Sequence, residues 1–516
     1  MSLLSSLALL ACSPSNLAMS EARDMSDTGN AGFADVDDGS GDAGGGGAAD
    51  ENDTAPPEQE ADTLRLMPAG TDAYVFVANP GRDTVTRISV PGLQVLTAEV
   101  GQTPTAVLTT SDYRHAVTLN EGDDTLSIVD ADTMEVDTVA LRPNFNALSL
   151  SGDGQWAMAW YDPDRESSGR SGGVQSFNEV SLVHVPTRTH VPMAVGFNPR
   201  GVRWANDGRL AVIVSDAALA TVDLTAETLV PALIDIADDP VDAPPAEEVE
   251  LSDDGAWAFV RQFGASSILA VDLDTRAVEA IPVGDNPTDL DLSPDGRTLA
   301  VVSRGARQLQ LFDPGNPFAE PDVVDLPEAY GSILFTGDAE TAILTTNAVA
   351  LPRFATIDLA TGDLTERSLV KPVGTVGVNP TGDALLVFHT RTNAADADTS
   401  SPFYNKWALT LVDLDDYRQN PMVLPAETTA YSTSDDGRYG FFVMEGQKLL
   451  ETLRFDTLLY EERRLPSAPV HLGVLPGTQT AWVSQEHDLG RISFYDAPTD
   501  TLDTLTGFEL NSAIEH

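Results

Sequence analysis

The feature that most constrains this chain is a corner that keeps returning. Residues 287–302 read PTDLDLSPDGRTLAVV: an alternating run, an Asp-Gly pair and a second apolar run. The same order recurs as ALSLSGDGQWAMAW near 147, VELSDDGAWAFV near 249 and TAYSTSDDGRYGFFV near 429, with a variant, VGVNPTGDALLVF, near 376. VRWANDGRLAVIV, ILFTGDAETAILTT, AVLTTSDYRHAVTL and LGVLPGTQTAWVSQ are weaker copies. Asp289, Asp291 and Asp295 crowd the first stretch, so an acidic or metal site is one reading of it. Repetition favours another. Asp at the head of a tight turn bonds its own backbone, and Gly takes the positive φ a hairpin needs. SPDGR, SDDGA, SGDGQ, SDDGR and NDGRL fill one slot, whereas catalysis needs one special copy. The stretch therefore reads as a strand, a turn and a strand.

Two further short runs follow each corner; after TDLDLS and TLAVVS come QLQLFD and DVVDL. From about residue 64 to the end, β-branched runs alternate with turn residues, and helical periodicity is not sustained. About ten units of roughly 44 residues result, the size of one four-stranded β-propeller blade. Runs such as AVVS and AVIV are apolar on both faces, which suits a sheet sandwiched between two neighbours. A single blade cannot bury both faces, and ring closure removes the exposed ends. The expected fold is all-β: a β-propeller of four-stranded blades over 63–516, one ten-bladed ring being favoured over two smaller rings in tandem.

The first unit reads AYVFVANPGRDTVTRISVPGLQVLTAEVGQTPTAV. It resembles the YVTN-type bacterial propeller repeat, with a strand, an Asn-x-Gly turn, a strand and a closing Val-Gly-x-x-Pro that returns as VGQTP and VGDNP. The resemblance covers most of 64–510. It implies a fold far more than a function.

Two units carry a long insertion after their second strand: WYDPDRESSGRSGGVQSFNEVSLVHV from Trp160, and HTRTNAADADTSSPFYNKWALTLVDL from His389. Both return through an aromatic-Asn pair, Phe177-Asn178 and Tyr404-Asn405. They are the third and eighth units, five apart, which suggests duplication of a five-unit array or else coincidence. In a ten-bladed ring they sit opposite each other. By resemblance to known propellers, loops in this position lie on the face most often used for ligands. Asp162, Asp164, Arg165, Arg391, Asp396, Asp398 and Tyr404 are thus the candidate binding-face residues.

The chain opens MSLLSSLALLACSPS. This resembles a bacterial lipoprotein signal spanning 1–12, in which Cys12 becomes the lipidated first residue. The absence of Lys or Arg before Arg23 departs from the usual basic start. By the same resemblance, Ser13 after the Cys favours the outer membrane, periplasmic or surface-exposed. Residues 13–62 are acidic and Gly-rich with few apolar side chains, the composition of a disordered, self-repelling tether. Its DVDDG resembles the start of an EF-hand loop, but the twelfth position is Gly46 and not Glu.

Asp and Glu total 80 against 29 Lys and Arg, a net charge of -51. Such a surface repels nucleic acid and anionic lipid and attracts basic partners or divalent cations. The seven histidines show no HxxxH or HExxH spacing, and no GxSxG, P-loop or GxGxxG motif appears. Cys12 is the one thiol. No catalytic residue, metal ligand or cofactor is expected, calcium at the acidic loops being the one cation considered. The expected function is a cell-envelope lipoprotein that presents a propeller as a protein- or ligand-binding scaffold without catalysis. Its partner would be an envelope protein or an extracellular ligand, and its membrane contact the lipid anchor alone. One alternative is a hydrolase resembling the propeller lactonases, with carboxylates, Arg and His converging on the central funnel. A second is an acidic surface-coat or adhesion protein.

Overall fold

The computed structural model describes residues 70–508, apart from 164, 166–175, 206–207, 238–245, 263 and 488. The signal with Cys12, the 13–62 tether with its DVDDG, and Asp164 lie outside the described residues. Within them the chain forms 39 strands and no α-helix. The strands fall into ten sheets, nine of four strands, each running through its strands in sequence order. The first sheet holds three strands, β1 (Tyr74–Asn79), β2 (Thr84–Ser89) and β3 (Val95–Glu99), with Gly70 bridging to Val75.

Why the sheets stack is plain from the sixth. Its strands are β20 (Pro287–Leu292), β21 (Leu299–Ser303), β22 (Gln308–Phe312) and β23 (Asp322–Asp325). Every residue of β21 is buried. Leu299 and Val301 pack toward the fifth blade with Phe259 and Ile268, while Ala300 and Val302 pack toward the seventh with Ile333 and Leu344. Alternate side chains point to opposite faces of a strand, so an unbroken apolar run is what a two-sided burial requires. Each such Val or Leu contributes roughly 1.5–3 kcal/mol relative to exposure.

Ten such interfaces, one between each successive pair, close one ring. The fifth blade packs on the sixth, and the tenth packs on the first through Trp482, Ile492 and Phe494 against Val75 and Ile88, capped by Phe508. Two five-bladed rings would need the fifth blade against the first, and the described core clusters contain no such contact. First strands of neighbouring blades lie side by side, as β20 does beside β16 (Ala246–Leu251) and β24 (Ser332–Phe335), which puts them at the axis. Fourth strands form the rim, as in the exposed β35 (Leu459–Arg464).

The Asp-Gly corner is a turn, as its repetition implies, with a fixed hydrogen-bond scheme. Ser293 Oγ donates to Asp295 Oδ1 at 2.7 Å, Asp295 accepts from the Arg297 amide, and Ser293 Oγ accepts from the Thr298 amide. Ser151/Asp153, Ser252/Asp254 and Ser434/Asp436 repeat it. So do Thr110/Asp112 and Thr336/Asp338, from two of the weaker sequence copies. The Ser252 hydroxyl and Ala256 amide hold the Asp254 carboxyl below its usual range. Gly296 is needed twice over. Its φ is +66°, and a Cβ there would come within 2.0 Å of the Asp253 carboxylate on the preceding blade's turn. The closing Val-Gly-x-x-Pro has a different cause. Gly284 passes so close over the next blade that a Cβ would lie 2.6 Å from Ser303 Cβ.

Candidate functional site

Because each blade is an up-and-down meander, its first and third turns lie on one face of the ring. The second turn and the link to the next blade lie on the other. Both insertions are second turns, so they share a face, and five blades separate them in a ring of ten. The six described of the seven loop residues singled out by sequence therefore form two groups on opposite sides of the ring, Asp162 and Arg165 in one and Arg391, Asp396, Asp398 and Tyr404 in the other, not one site.

In the third blade, β9 (Trp156–Trp160) leads into the insertion and β10 (Glu179–His184) leaves it. Asn146 anchors the loop. Its Nδ2 donates to the Asp162 and Arg165 carbonyls, and its Oδ1 accepts from the Asp162 amide at 2.7 Å. Arg165 folds back, Nη1 donating to the Asn146 carbonyl, and burial lowers its pKa to about 10. In the eighth blade, between β29 (Ala384–His389) and β30 (Trp407–Asp413), the anchor is Lys371. Its buried ammonium donates to the carbonyls of Arg391 and Phe403 and to Asn393 Oδ1, and burial lowers its pKa. Arg391 reaches the Asn405 carbonyl, Asp398 accepts from the amide and hydroxyl of Ser400, Asp396 is exposed and Tyr404 is half-buried. His389 is no acid or base at neutral pH. Burial pushes its imidazole down to about 4, Nδ1 donates to the Pro372 carbonyl, and Nε2 accepts from Thr410.

The two loops differ in what they leave open. Beside the third-blade insertion lies a cleft of about 680 Å³, lined by Arg142 and Pro143 from the preceding link, Ser176 to Glu179 from the insertion, and Val195 and Phe197 from the next link. Phe197 is 60% exposed and Phe177 36%. Their rings stack at 6.0 Å, and Tyr161 meets Phe177 edge-on at 5.3 Å. The backbone beneath is tied: the Asn198 amide donates to the Phe177 carbonyl and the Val195 amide to the Asn178 carbonyl. Sequence pointed to Phe177 as part of the insertion's return but not to Phe197 or the cleft. One signal was present. The x positions of Val-Gly-x-x-Pro hold Gln-Thr in VGQTP and Asp-Asn in VGDNP, yet VGFNP puts an exposed phenyl there.

A second constellation sits at the axis. The stretch 287–302, read whole as a turn corner, divides in two. Asp295 serves the turn, while Asp289 and Asp291 lie on β20 and meet Glu248 of β16, their carboxylate oxygens within 4.8 Å of one another. The corner's repetition disguised this, since its turn half recurs in many blades while its acidic strand half recurs in the fifth, where Glu248 and Glu250 hold the places of Asp289 and Asp291. Arg261 clamps Glu248 at 2.8 Å and Glu247 at 2.7 Å, and Asp289 accepts the Ile333 amide of the seventh blade. Three carboxylates so close are a potential divalent-cation or acid-base group. Glu248 is thus engaged within its own blade, and Asp289 in joining the sixth blade to the seventh.

No known family profile matches the chain, and no curated protein matches it. Solved structures match at low identity. One described as a eukaryotic initiation factor is 11% identical, covers 76% of this chain and 96% of that one, and has a TM-score of 0.52. The dihydro-heme d1 dehydrogenase NirN is 14% identical, with 78% and 77% coverage and a TM-score of 0.44. The hydrazine synthase of Kuenenia stuttgartiensis is 15% identical, with 59% and 94% coverage and a TM-score of 0.37. At these identities the likeness is one of fold alone, and the fold is a β-propeller, here with ten blades in a single ring.

Proposed function

We propose that this chain is a binding propeller of the bacterial cell envelope, tethered through Cys12 and the 13–62 linker, with no catalysis of its own. Its partner docks on the insertion-bearing face at the third blade. The observation that carries this reading is the exposed Phe177–Phe197 pair, held on a hydrogen-bonded backbone beside an open cleft. Preorganised exposed aromatics are how interfaces anchor partners at low entropic cost. The envelope location rests on the LALLAC run and the acidic tether after it. Replacing Cys12 by Ser releases the protein from membranes on this account; continued membrane association of the variant refutes the anchor. Capture of a partner from an envelope extract should fall on Phe197→Ser and survive Asp289→Asn.

The hydrolase reading is favoured by one observation, the Glu248, Asp289 and Asp291 group at the axis. It predicts the opposite pattern: an ester- or lactone-cleaving activity abolished by Asp291→Asn and untouched by Phe197→Ser.

A further inference from the structure

We infer that the cleft over the third blade receives a basic peptide segment of the partner, an Arg or Lys flanked by apolar side chains. This rests on the binding-module reading above and adds the chemical class of what is bound. Four observations carry it. The chain has 80 acidic against 29 basic residues, so its long-range field draws cationic surfaces toward it. The exposed rings of Phe177 and Phe197 line the cleft, and a cation over an aromatic face is attracted by the ring quadrupole. Glu179 stands at the wall, its Oε2 accepting from Ser176 at 2.9 Å, which fixes the carboxylate's direction. Its ion pair with Arg142 is long, 3.6 Å between Nη2 and Oε1, and both side chains are partly exposed, at 48% and 30%. An incoming guanidinium therefore has a carboxylate it can engage bidentately in place of a loose partner. The flanking apolar requirement follows from the 60% exposure of Phe197, too large a surface for a compact cation to cover alone.

The opposite insertion supplies the contrast. Lys406 stands where Glu179 stands, just after the aromatic-Asn pair, and the link after the eighth blade reads LPAET, with no aromatic in the place of Phe197. The two loops share a fold position and differ in chemistry, so the site belongs to the third blade only.

The test uses the full chain and a fluorescent pentapeptide, acetyl-Gly-Arg-Phe-Arg-Gly-amide, followed by anisotropy at two salt concentrations. Its counterpart replaces each Arg by citrulline, which keeps the shape and part of the N–H donor set but removes the charge. The Arg peptide should bind about tenfold tighter than the citrulline peptide. Phe197→Ser and Glu179→Gln should each lose about tenfold for the Arg peptide with unchanged melting temperature. Leu233→Ser, at an apolar site on a rim strand that is 51% exposed, should change nothing. Equal binding by Phe197→Ser would mean diffuse attraction to an acidic surface and would overturn the inference. Equal binding of the citrulline peptide, or no saturable binding, overturns it too. If the peptide fails while partner capture still depends on Phe197, the basic class falls and the binding module stands.

Discussion

Replacing Glu451 by Gln should stabilise the ring, by an amount that grows with pH. Glu451 lies on β34 (Leu449–Arg454), on the face turned to the eighth blade, in line with Leu453 and opposite Phe442. It is buried, its Oε2 has no hydrogen-bond partner, and Glu462 faces it across the strand pair with Tyr460 nearby. Burial first, then the Glu462 charge, raise its carboxyl from 4.5 to about 8. Below the unfolded value the group is neutral in both states and costs nothing. Between 4.5 and about 8 the unfolded chain gives up the proton and the folded chain keeps it, so stability falls by about 1.4 kcal/mol per pH unit. Above that range the penalty is constant, on the order of 5 kcal/mol at most. Gln keeps the shape, never ionises, and can donate to Glu462. Melting temperatures of parent and variant, measured side by side from pH 4 to 9, isolate this group because all other titrations are shared. The curves should coincide near pH 4.5 and separate progressively to pH 8, the variant being the more stable by about 2–4 kcal/mol. A difference independent of pH, or a variant less stable at pH 8, would refute the argument.

Two further perturbations test other parts of the structure. Lys371→Met leaves three oxygen acceptors without their shared donor, so the 391–405 loop should become protease-sensitive at a cost of roughly 2–4 kcal/mol, while the rest of the ring resists digestion. Gly296→Ala combines a left-handed φ with a clash at Asp253 and should cost about 2–3 kcal/mol in a thermal melt; an unchanged melt would contradict the turn-to-turn packing.

What could be read from sequence was what repeats. Ser293, Asp295 and Gly296 act within a few residues of one another, so every copy of the turn carries the same local signature. The two-sided strands announced stacking, and ten units announced ten blades. The choice of one ring lay in contacts such as Trp482 with Ile88, which no local pattern records. The sites were legible only in part for the same reason. Arg142, Phe177 and Phe197 reach one cleft from two inter-blade links and an insertion, and Glu248 meets Asp289 across neighbouring first strands. Asp162, Arg165 and Arg391 stood out as loop charges, yet their backbone carbonyls or charged groups are engaged in fastening those loops. Function should be sought where a repeat departs from its siblings, and Phe197 is such a departure.

The most direct measurement is partner capture from an envelope extract of the producing cells by parent, Phe197→Ser and Asp289→Asn, with folding of each verified by melting. The account predicts that Phe197→Ser loses the captured protein and that Asp289→Asn retains it. Undiminished capture by Phe197→Ser, with loss in Asp289→Asn, would move the function from the third-blade cleft to the axis and contradict it.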